Sequence, residues 1–481
     1  MAEITTLAAK SFGYLLGGEW RTEGEAVEVR SPFDGSVVGT TFRAGPQQME
    51  AAIAAAVRAF DTTRRLPAYE RQRVLSAVSR TVAERREDLA RTIALEAGKP
   101  IKTARAEVDR AILTFSLAAE ESTRIYGQYL PLDLQAATAG RWALVRRFPV
   151  GPIAAITPFN FPLNLAAHKI APALAAGCTM VLKPAPQAPL SALSLAQVVH
   201  DAGWPAGALN VLPAANPVAE MLVTDGRLKM LTFTGSAAVG WELKKKAGKK
   251  RVTLELGGNA GVIVHSDADI GYAAERCAMG GYSYAGQSCI SVQRVLVEAG
   301  VHSRFLRDFV PRVQALRLGD PLDEATDVGP MISEDAARRA EQWIQEAVTG
   351  GAKLHCGGAR RGPLLEPAVL TGTKPTMRVN CEEVFAPVVT VEPYEDFDEA
   401  LRQVNDSPYG LQAGLFTNDA RLIFRAYEEL KVGGLMVGEV PTFRIDHMPY
   451  GGTKDSGLGR EGLRYAIEEM TESRLLTMNL R

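Results

Sequence analysis

The 481-residue chain has only five cysteines: Cys178, Cys277, Cys289, Cys356 and Cys381. They are odd in number, widely spaced and include no CxxC pair, which argues against a disulfide framework and a cysteine zinc site and fits a reduced cytoplasm. No metal site is expected. Net charge is nearly absent too: 54 basic against 55 acidic side chains leave -1, so no general field draws the chain to nucleic acid or an anionic membrane. Long apolar runs are also missing. The most apolar stretch, Gly151 to Pro184, is broken by Pro158, Asn160, Pro162, Asn164, His168 and Lys183, which excludes a membrane span. The opening MAEITTLAAK lacks the basic, apolar and small-residue regions of a secretory signal. No fixed-period repeat or low-complexity linker is present. What the chain does have is 46% hydrophobic residues, enough for large buried cores.

The order of apolar segments sets the fold class. Residues 48 to 125 read as helices with breaks, and the run Tyr69 to Ala97 ends at Gly98-Lys99-Pro100, a glycine-then-proline stop. From about Arg147, short apolar strands alternate with helical runs: PIAAIT, CTMVL, ALNVL, KMLTF and RVTLEL. That alternation predicts a parallel sheet covered on both faces. After Gly257-Gly258 a second series follows, with GVIVH, RVLVE, a helix over Val301 to Leu316, and VVTVE. The expectation is a second α/β domain.

In open α/β sheets, ligands collect beyond the carboxyl ends of the strands. Those positions carry TPFNFPLN, Lys183-Pro184, Phe233-Thr234-Gly235-Ser236 and Glu255-Leu256-Gly257-Gly258. Each has an ordinary reading. Asn160 between prolines suits a turn, Lys183 a surface charge, Glu255 a solvated strand face, and Ser236 a helix N-cap. Cys289, in GGYSYAGQSCISVQR (280–294), could simply pack, as most free cysteines do. Its polar neighbours Gln287 and Ser288, and the backbone room left by Gly280, Gly281 and Gly286, also allow a nucleophile beside a ligand, and the local residues leave both readings open. The helix start at Ser236 would suit an anion, although FTGSAAVG is not the GxGxxG spacing of a standard dinucleotide fold.

Taken in order, TPFNFPLN, LKPAPQ, FTGSAAVG, LELGGN, GQSC, EEVFAPVV, YGLQAGLFT and PYGGTKDSGLGREG resemble the motifs of the aldehyde dehydrogenase superfamily over nearly the whole chain. The resemblance implies two doubly wound parallel-sheet α/β domains plus a small β oligomerisation arm. Residues 1–125 and 148–256 would bind cofactor, 257–455 would form the catalytic domain, and 126–147 with 467–478 the arm of a homodimer or homotetramer. It further implies that Cys289 attacks an aldehyde, that the Asn160 amide and the Cys289 backbone N–H hold the oxyanion, that hydride passes to NAD or NADP, and that Glu255 activates the water that hydrolyses the thioester. Cofactor contacts would come from Lys183, Thr157, Pro158, Phe159, Phe233, Gly235, Ser236, Val239, Leu256, Gly257, Glu383 and Phe385.

There are departures from the family pattern. Pro186 stands where many NAD-specific members carry a glutamate against the adenosine ribose, which makes NADP tolerable. Ala386 replaces a commoner glycine, and Gly438 a usual asparagine. The segment PTFRIDHMPYGG (441–452) resembles members that oxidise small aldehydes with anionic or hydroxylated tails, such as succinate semialdehyde, lactaldehyde, glyceraldehyde 3-phosphate and phosphonoacetaldehyde. Arg110, Arg444 and His447 would then meet the substrate's far end, although Arg110 could equally be a solvated helix charge. Three rivals remain at this stage. A cysteine hydrolase would need a histidine base, and none of the six histidines lies in such a motif. A CoA-acylating aldehyde dehydrogenase typically lacks the glutamate base. A non-enzymatic role predicts a broken site.

Overall fold

Five short strands make the first layer. In the computed structural model of the protein, which describes residues 10–479, Ile153–Ile156, Met180–Lys183, Leu209–Val211, Met230–Thr234 and Arg251–Glu255 run parallel. Residues 1–9, read above for a leader and counted in the cofactor-binding unit, lie outside the described residues. The spatial order of the strands is third, second, first, fourth, fifth. Gly457–Leu458 lies antiparallel beside the fifth, and the hairpin Tyr14–Leu16/Glu19–Arg21 extends the other edge. The order reverses between the first and fourth strands, which opens a crevice beyond their carboxyl ends.

The second sheet begins only four residues after the first ends. Ala260–Val264, Val292–Glu298, Ala368–Thr371, Val388–Tyr394, Gln412–Phe416 and Gly434–Val437 are parallel, with Lys353–Cys356 antiparallel at one edge. Val388, Val292 and Ala260 open three neighbouring strands, so the loops before them share one edge of the sheet. One apolar core gathers residues from Tyr14 to Leu256 and takes back Leu463, Ile467 and Met470. Two further cores lie within 262–440. A third sheet pairs Gln128–Pro131, Arg141–Pro149 and Thr471–Asn479 antiparallel, with Thr471 opposite Pro149. Residues 467–469 close the helix Leu463–Glu469 instead of joining that sheet.

The N-terminal helices are Pro46–Thr63, Ala68–Glu84, Arg86–Ala97 and Ile101–Ser122. The run Tyr69 to Ala97 is thus two helices, parted where Arg85 leaves helical geometry (φ -98°, ψ 17°). Gly98 ends the second of them at φ 68°, the left-handed conformation that glycine adopts most easily. Two carboxylates from this layer start helices elsewhere. Glu96 accepts from the backbone N–H of Leu190 (2.7 Å) and Ser191 (2.8 Å), at the head of Leu190–Asp201. Glu107 accepts from Leu163 (3.0 Å) and Asn164 (3.1 Å), at the head of Asn164–Ala176. Each satisfies N–H groups that a helix start leaves unpaired and lies at the positive end of its dipole.

Glu107 also pairs with Lys99, and their side chains are 0% and 1% exposed. Burial pushes the Lys99 ammonium down to about 8, against the pull of Glu107. The ammonium lies 3.5 Å from the Phe161 ring centroid and 4.5 Å from that of Tyr284. This cluster joins the helical layer to the crevice loop. Glu107→Ala, which strands a buried ammonium and uncaps a helix, is therefore expected to lower unfolding free energy by about 3 to 5 kcal/mol. Denaturant titration beside the wild type measures it.

Candidate active site

The crevice deepens into a cavity of about 510 Å3 where the carboxyl edge of the first sheet meets the opening edge of the second. Its lining brings together Cys289, Glu255, Asn160, Pro158, Phe159, Gly235, Ser236, Leu256, Gly257, Glu383, Phe385, Arg110 and Arg444. Thr157, Lys183, Phe233 and Val239 lie outside that lining, and Val239 is exposed. His447 is exposed and does not line the cavity, unlike the expectation for its loop.

The cysteine loop follows the helix Ile270–Tyr282 through three residues in the left-handed region: Tyr284 (φ 50°), Ala285 (φ 52°) and Gly286 (φ 67°). Two of the three are not glycine, so surrounding contacts must hold the strained turn. The Tyr284 hydroxyl donates to Ala97 O at 2.7 Å, and fully buried Gln287 accepts from Ile332 N at 2.8 Å. The glycines expected to leave ligand room serve packing instead. A Cβ at Gly280 would come within 2.9 Å of Val292, one at Gly281 within 2.6 Å of Val389, and one at Gly286 within 2.2 Å of Ala386 O. The chain itself fills that space.

Cys289 Sγ emerges 3.2 Å from the Tyr450 hydroxyl. Burial pushes its thiol up to about 11. Tyr450 and Arg444 act to lower it, while Glu383 and Glu255 add to the rise. Asn160 donates one amide hydrogen to Gln287 O at 3.1 Å, leaving its second for a ligand. Glu255 is 3% exposed, and both its carboxylate oxygens are buried without a partner, so the solvated-face reading fails. Its pKa is held well above the usual carboxylate range, chiefly by burial and next by Glu461. An unpaired buried carboxyl costs stability unless the site uses it.

Behind these groups lies a network in which Asp446, Glu461, His168 and Lys169, to none of which the sequence motifs gave a role, join the two arginines. Arg444, its side chain 6% exposed, donates to Glu461 Oε2 (3.0 Å) and His168 Nδ1 (2.9 Å) and stacks 3.5 Å from the Tyr450 ring centroid. Asp446 accepts from Arg110 Nη2 (2.7 Å) and Thr114 (3.2 Å), and its Oδ1 lies 2.9 Å from His168 Nε2. Lys169 reaches Thr232 (2.9 Å) and Glu461 (3.4 Å). The surrounding cations hold Asp446 and Glu461 well below the usual carboxylate range even though burial opposes it. One signal was available: Lys169 is a lysine inside an otherwise apolar helical run.

The rest of the cavity fits a phosphate-bearing dinucleotide. Ser236 takes the N-cap position of Ala237–Lys246, but its hydroxyl makes no cap bond and stays free. A Cβ at Gly235 would sit 2.5 Å from the Phe233 ring, so the turn needs glycine. Lys183 is 5% exposed, not a surface charge. Its Nζ has Asn216 Oδ1 at 3.5 Å, and burial alone lowers its pKa, with no carboxylate opposing. Glu383 Oε1 accepts from Gly258 N at 3.0 Å, and burial chiefly raises its pKa to about 7. A Cβ at Gly257 would stand 2.3 Å from Glu383 Oε2. Phe385, in the left-handed region at φ 51°, meets Phe159 edge to face with centroids 6.1 Å apart. A helix start, a carboxylate and aromatic walls thus border the cavity, with the buried, uncountered Lys183 ammonium outside its lining.

The fold and this arrangement are found elsewhere. The chain is 43% identical over 472 residues to the 3-sulfolactaldehyde dehydrogenase of Priestia megaterium, covering 98% of each. It superposes with a TM-score of 0.96 and 43% identity, over 98% of each chain, on aldehyde dehydrogenase 21 of Physcomitrella patens, solved with its product succinate. With glyceraldehyde-3-phosphate dehydrogenase of Methanocaldococcus jannaschii, solved with NADP, the TM-score is 0.91 and the identity 38%, over 95% of this chain and 99% of that one. The aldehyde dehydrogenase family profile matches residues 20–476. With that match spanning both sheets and the cavity between them, the chain belongs to the aldehyde dehydrogenase family, oxidoreductases that use NAD or NADP.

Proposed function

We propose that the protein oxidises a short aldehyde with an anionic or hydroxylated tail to its acid, using Cys289 as nucleophile, Asn160 as oxyanion donor and Glu255 as base. The observation that carries this reading is the shared lining: thiol, uncommitted amide hydrogen and unpaired carboxyl face one cavity. The Cys289 thiolate bonds to the aldehyde carbon as the carbonyl pair moves onto oxygen, where the free Asn160 N–H meets it. A bound nicotinamide dinucleotide supplies the hydride acceptor. Glu255 then takes a proton from the water that attacks the thioester, and the C–S bond breaks to return the thiolate. The two free oxygens of Glu255 favour hydrolysis over transfer to CoA. Added CoA should therefore yield no acyl-CoA.

Lys183, Thr157, Phe233 and Val239 flank the cradle formed by Ser236, Gly235, Glu383 and Phe385, and we assign all of them to the cofactor. The described part of 1–125 with 148–256 is the cofactor unit and 257–455 the catalytic unit, consistent with the separate cores. Residues 126–147 and 471–478 form the arm of a homo-oligomer, a reading supported by exposed Tyr129 (64%), Leu475 (59%) and Leu476 (56%) on the third sheet. All five cysteines are free, in keeping with a cytoplasmic site. No helix among the described residues is long and apolar enough to cross a membrane.

The two arginines divide their work. Both line the cavity and both have a buried, unpaired Nε, but Arg444 is 6% exposed and bound to Glu461 and His168, whereas Arg110 has 29% of its side chain exposed and one carboxylate partner, Asp446. Arg110 therefore receives the tail, consistent with relatives named for sulfolactaldehyde and solved with succinate.

Cys289→Ala should abolish turnover, and Glu255→Gln should keep a pre-steady-state burst of reduced cofactor while losing the steady rate. Because the Glu255 pKa is raised, the basic form grows as pH rises through it, so wild-type deacylation should rise with pH and the Gln variant should lose that limb. Loss of burst and steady rate together would remove Glu255 from this role. Arg110→Ala should cut kcat/KM for succinate semialdehyde by about tenfold to a hundredfold, the scale of one charged hydrogen bond, and leave propanal within about threefold. Equal slowing of both would overturn the tail assignment. NADP should serve at least as well as NAD, and Pro186→Glu should shift preference to NAD; a hundredfold wild-type preference for NAD would refute the Lys183 argument.

A further inference from the structure

The side chain that touches the nucleophile, Tyr450, belongs to the run PYGGTKDSGLGREG (449–462) and takes no part in the steps proposed for Cys289, Asn160 and Glu255. Tyr450 is 3% exposed, and a buried phenol needs a hydrogen-bond partner. That partner is Cys289 Sγ, at 3.2 Å. The backbone of Tyr450 is fixed by a two-way bridge with Glu461, whose carbonyl accepts from Tyr450 N at 3.0 Å and whose N–H donates to Tyr450 O at 2.6 Å. The ring is fixed by Arg444, whose guanidinium carbon lies 3.5 Å from the centroid. Arg444 cannot swing away easily, since Glu461 and His168 hold its Nη2 at 3.0 and 2.9 Å.

A cation on the face of a phenol draws electron density from the ring and makes the O–H a stronger donor. We propose that Tyr450 poises the nucleophile: its hydroxyl donates to the Cys289 thiolate, and Arg444, stacked on the ring, strengthens that donation. The inference rests on the reading of Cys289 as the nucleophile and adds a positioning residue to it. The titratable groups facing the sulfur are Tyr450, Arg444, Glu383 and Glu255. The two carboxyls oppose a thiolate, which leaves Tyr450 and Arg444 to favour it. Burial keeps the Tyr450 phenol protonated, so a hydrogen remains available when sulfur is ionised. The thiol proton leaves to water. Tyr450 keeps its own, and its hydrogen bond weakens as the S–C bond forms and the charge moves to the substrate oxygen.

Tyr450→Phe deletes one oxygen and keeps the ring, and iodoacetamide reads the result without turnover: the thiolate displaces iodide, and intact mass reports the adduct. In the full-length enzyme, with Cys289→Ala identifying background labelling of the other four cysteines, the variant should label Cys289 about tenfold more slowly at about pH 7.5. Its labelling midpoint should move up by about one pH unit, and ultraviolet thiolate absorbance should titrate with the same displacement. Cofactor affinity should stay within about twofold, and kcat/KM for propanal should fall at neutral pH but recover as pH rises. Replacing Tyr450 with 3-fluorotyrosine, a more acidic phenol of nearly the same shape, should move the midpoint the opposite way and speed labelling. Equal or faster labelling of the Phe variant, or a fluorotyrosine enzyme with an unmoved midpoint, would overturn the proposal. Wild-type enzyme in which Cys289 takes no label, or Cys289→Ala that still turns over, would instead sink the nucleophile reading beneath it.

Discussion

Two buried carboxylates, Glu461 and Asp446, bind the site's cations into place, and the remaining geometry depends on that pairing. Arg444 and Arg110 bring two positive charges to the cavity wall, and Lys169 a third outside its lining. Each would carry a desolvation cost of several kcal/mol if left alone. Glu461 takes Arg444 and Lys169, and Asp446 takes Arg110 and lies close to Arg444. With the counter-charges satisfied in this way, Arg444 can be packed against Tyr450 and Tyr450 against Cys289. The position of the nucleophile is thus a consequence of ion pairing two layers behind it. It is also a consequence of the joint between the sheets, because Lys169 comes from a helix of the first unit and Arg444, Asp446 and Glu461 from the returning C-terminal chain.

The same network explains why Glu255 can remain unpaired. Its two free oxygens are a cost that no neighbour offsets by hydrogen bonding. Neutralisation by protonation is the cheaper state, and Glu461, ionised beside it and holding Lys169, pushes it that way. In the base role proposed for Glu255, deprotonation would be needed only once the thioester forms and water enters. Stability is given up at one residue so that the cavity stays polar only where chemistry is needed.

Much of this was legible in the chain. The alternation PIAAIT, CTMVL, ALNVL, KMLTF, RVTLEL marked five buried parallel strands, and the rule that ligands collect at their carboxyl ends led to Asn160, Ser236 and Glu255. The second sheet was legible as a sheet but not as a surface. It meets the cavity with the loops that precede its strands, so Cys289 and Glu383 stand before Val292 and Val388 rather than after a strand. The glycines around Cys289 misled for a related reason: sequence shows that space is needed, not whether a ligand or a valine fills it. Tyr450 and Glu461 lie in PYGGTKDSGLGREG and Asp446 in PTFRIDHMPYGG, but neither run, nor the stretch around His168, showed what these residues do, because their roles arise from contacts spanning up to 336 residues of chain. A pairing of that kind leaves no local pattern.

Arg110 and Arg444 carry the same charge and nearly meet at Asp446, yet their environments give them opposite work. A guanidinium has five N–H donors in a fixed fork, so what matters is how many are already committed. Arg444 faces two carboxylates, a histidine nitrogen and an aromatic face, and only 6% of its side chain is exposed. Arg110 gives one Nη2 to Asp446, shares the Phe161 face at 5.9 Å and has 29% of its side chain exposed. Asp446 fixes one arm of the Arg110 fork. On the tail assignment proposed above, a tail with a single negative charge would complete that fork without breaking the Asp446 pair. A cationic tail would have to displace it, at the cost of leaving a buried carboxylate unpaired.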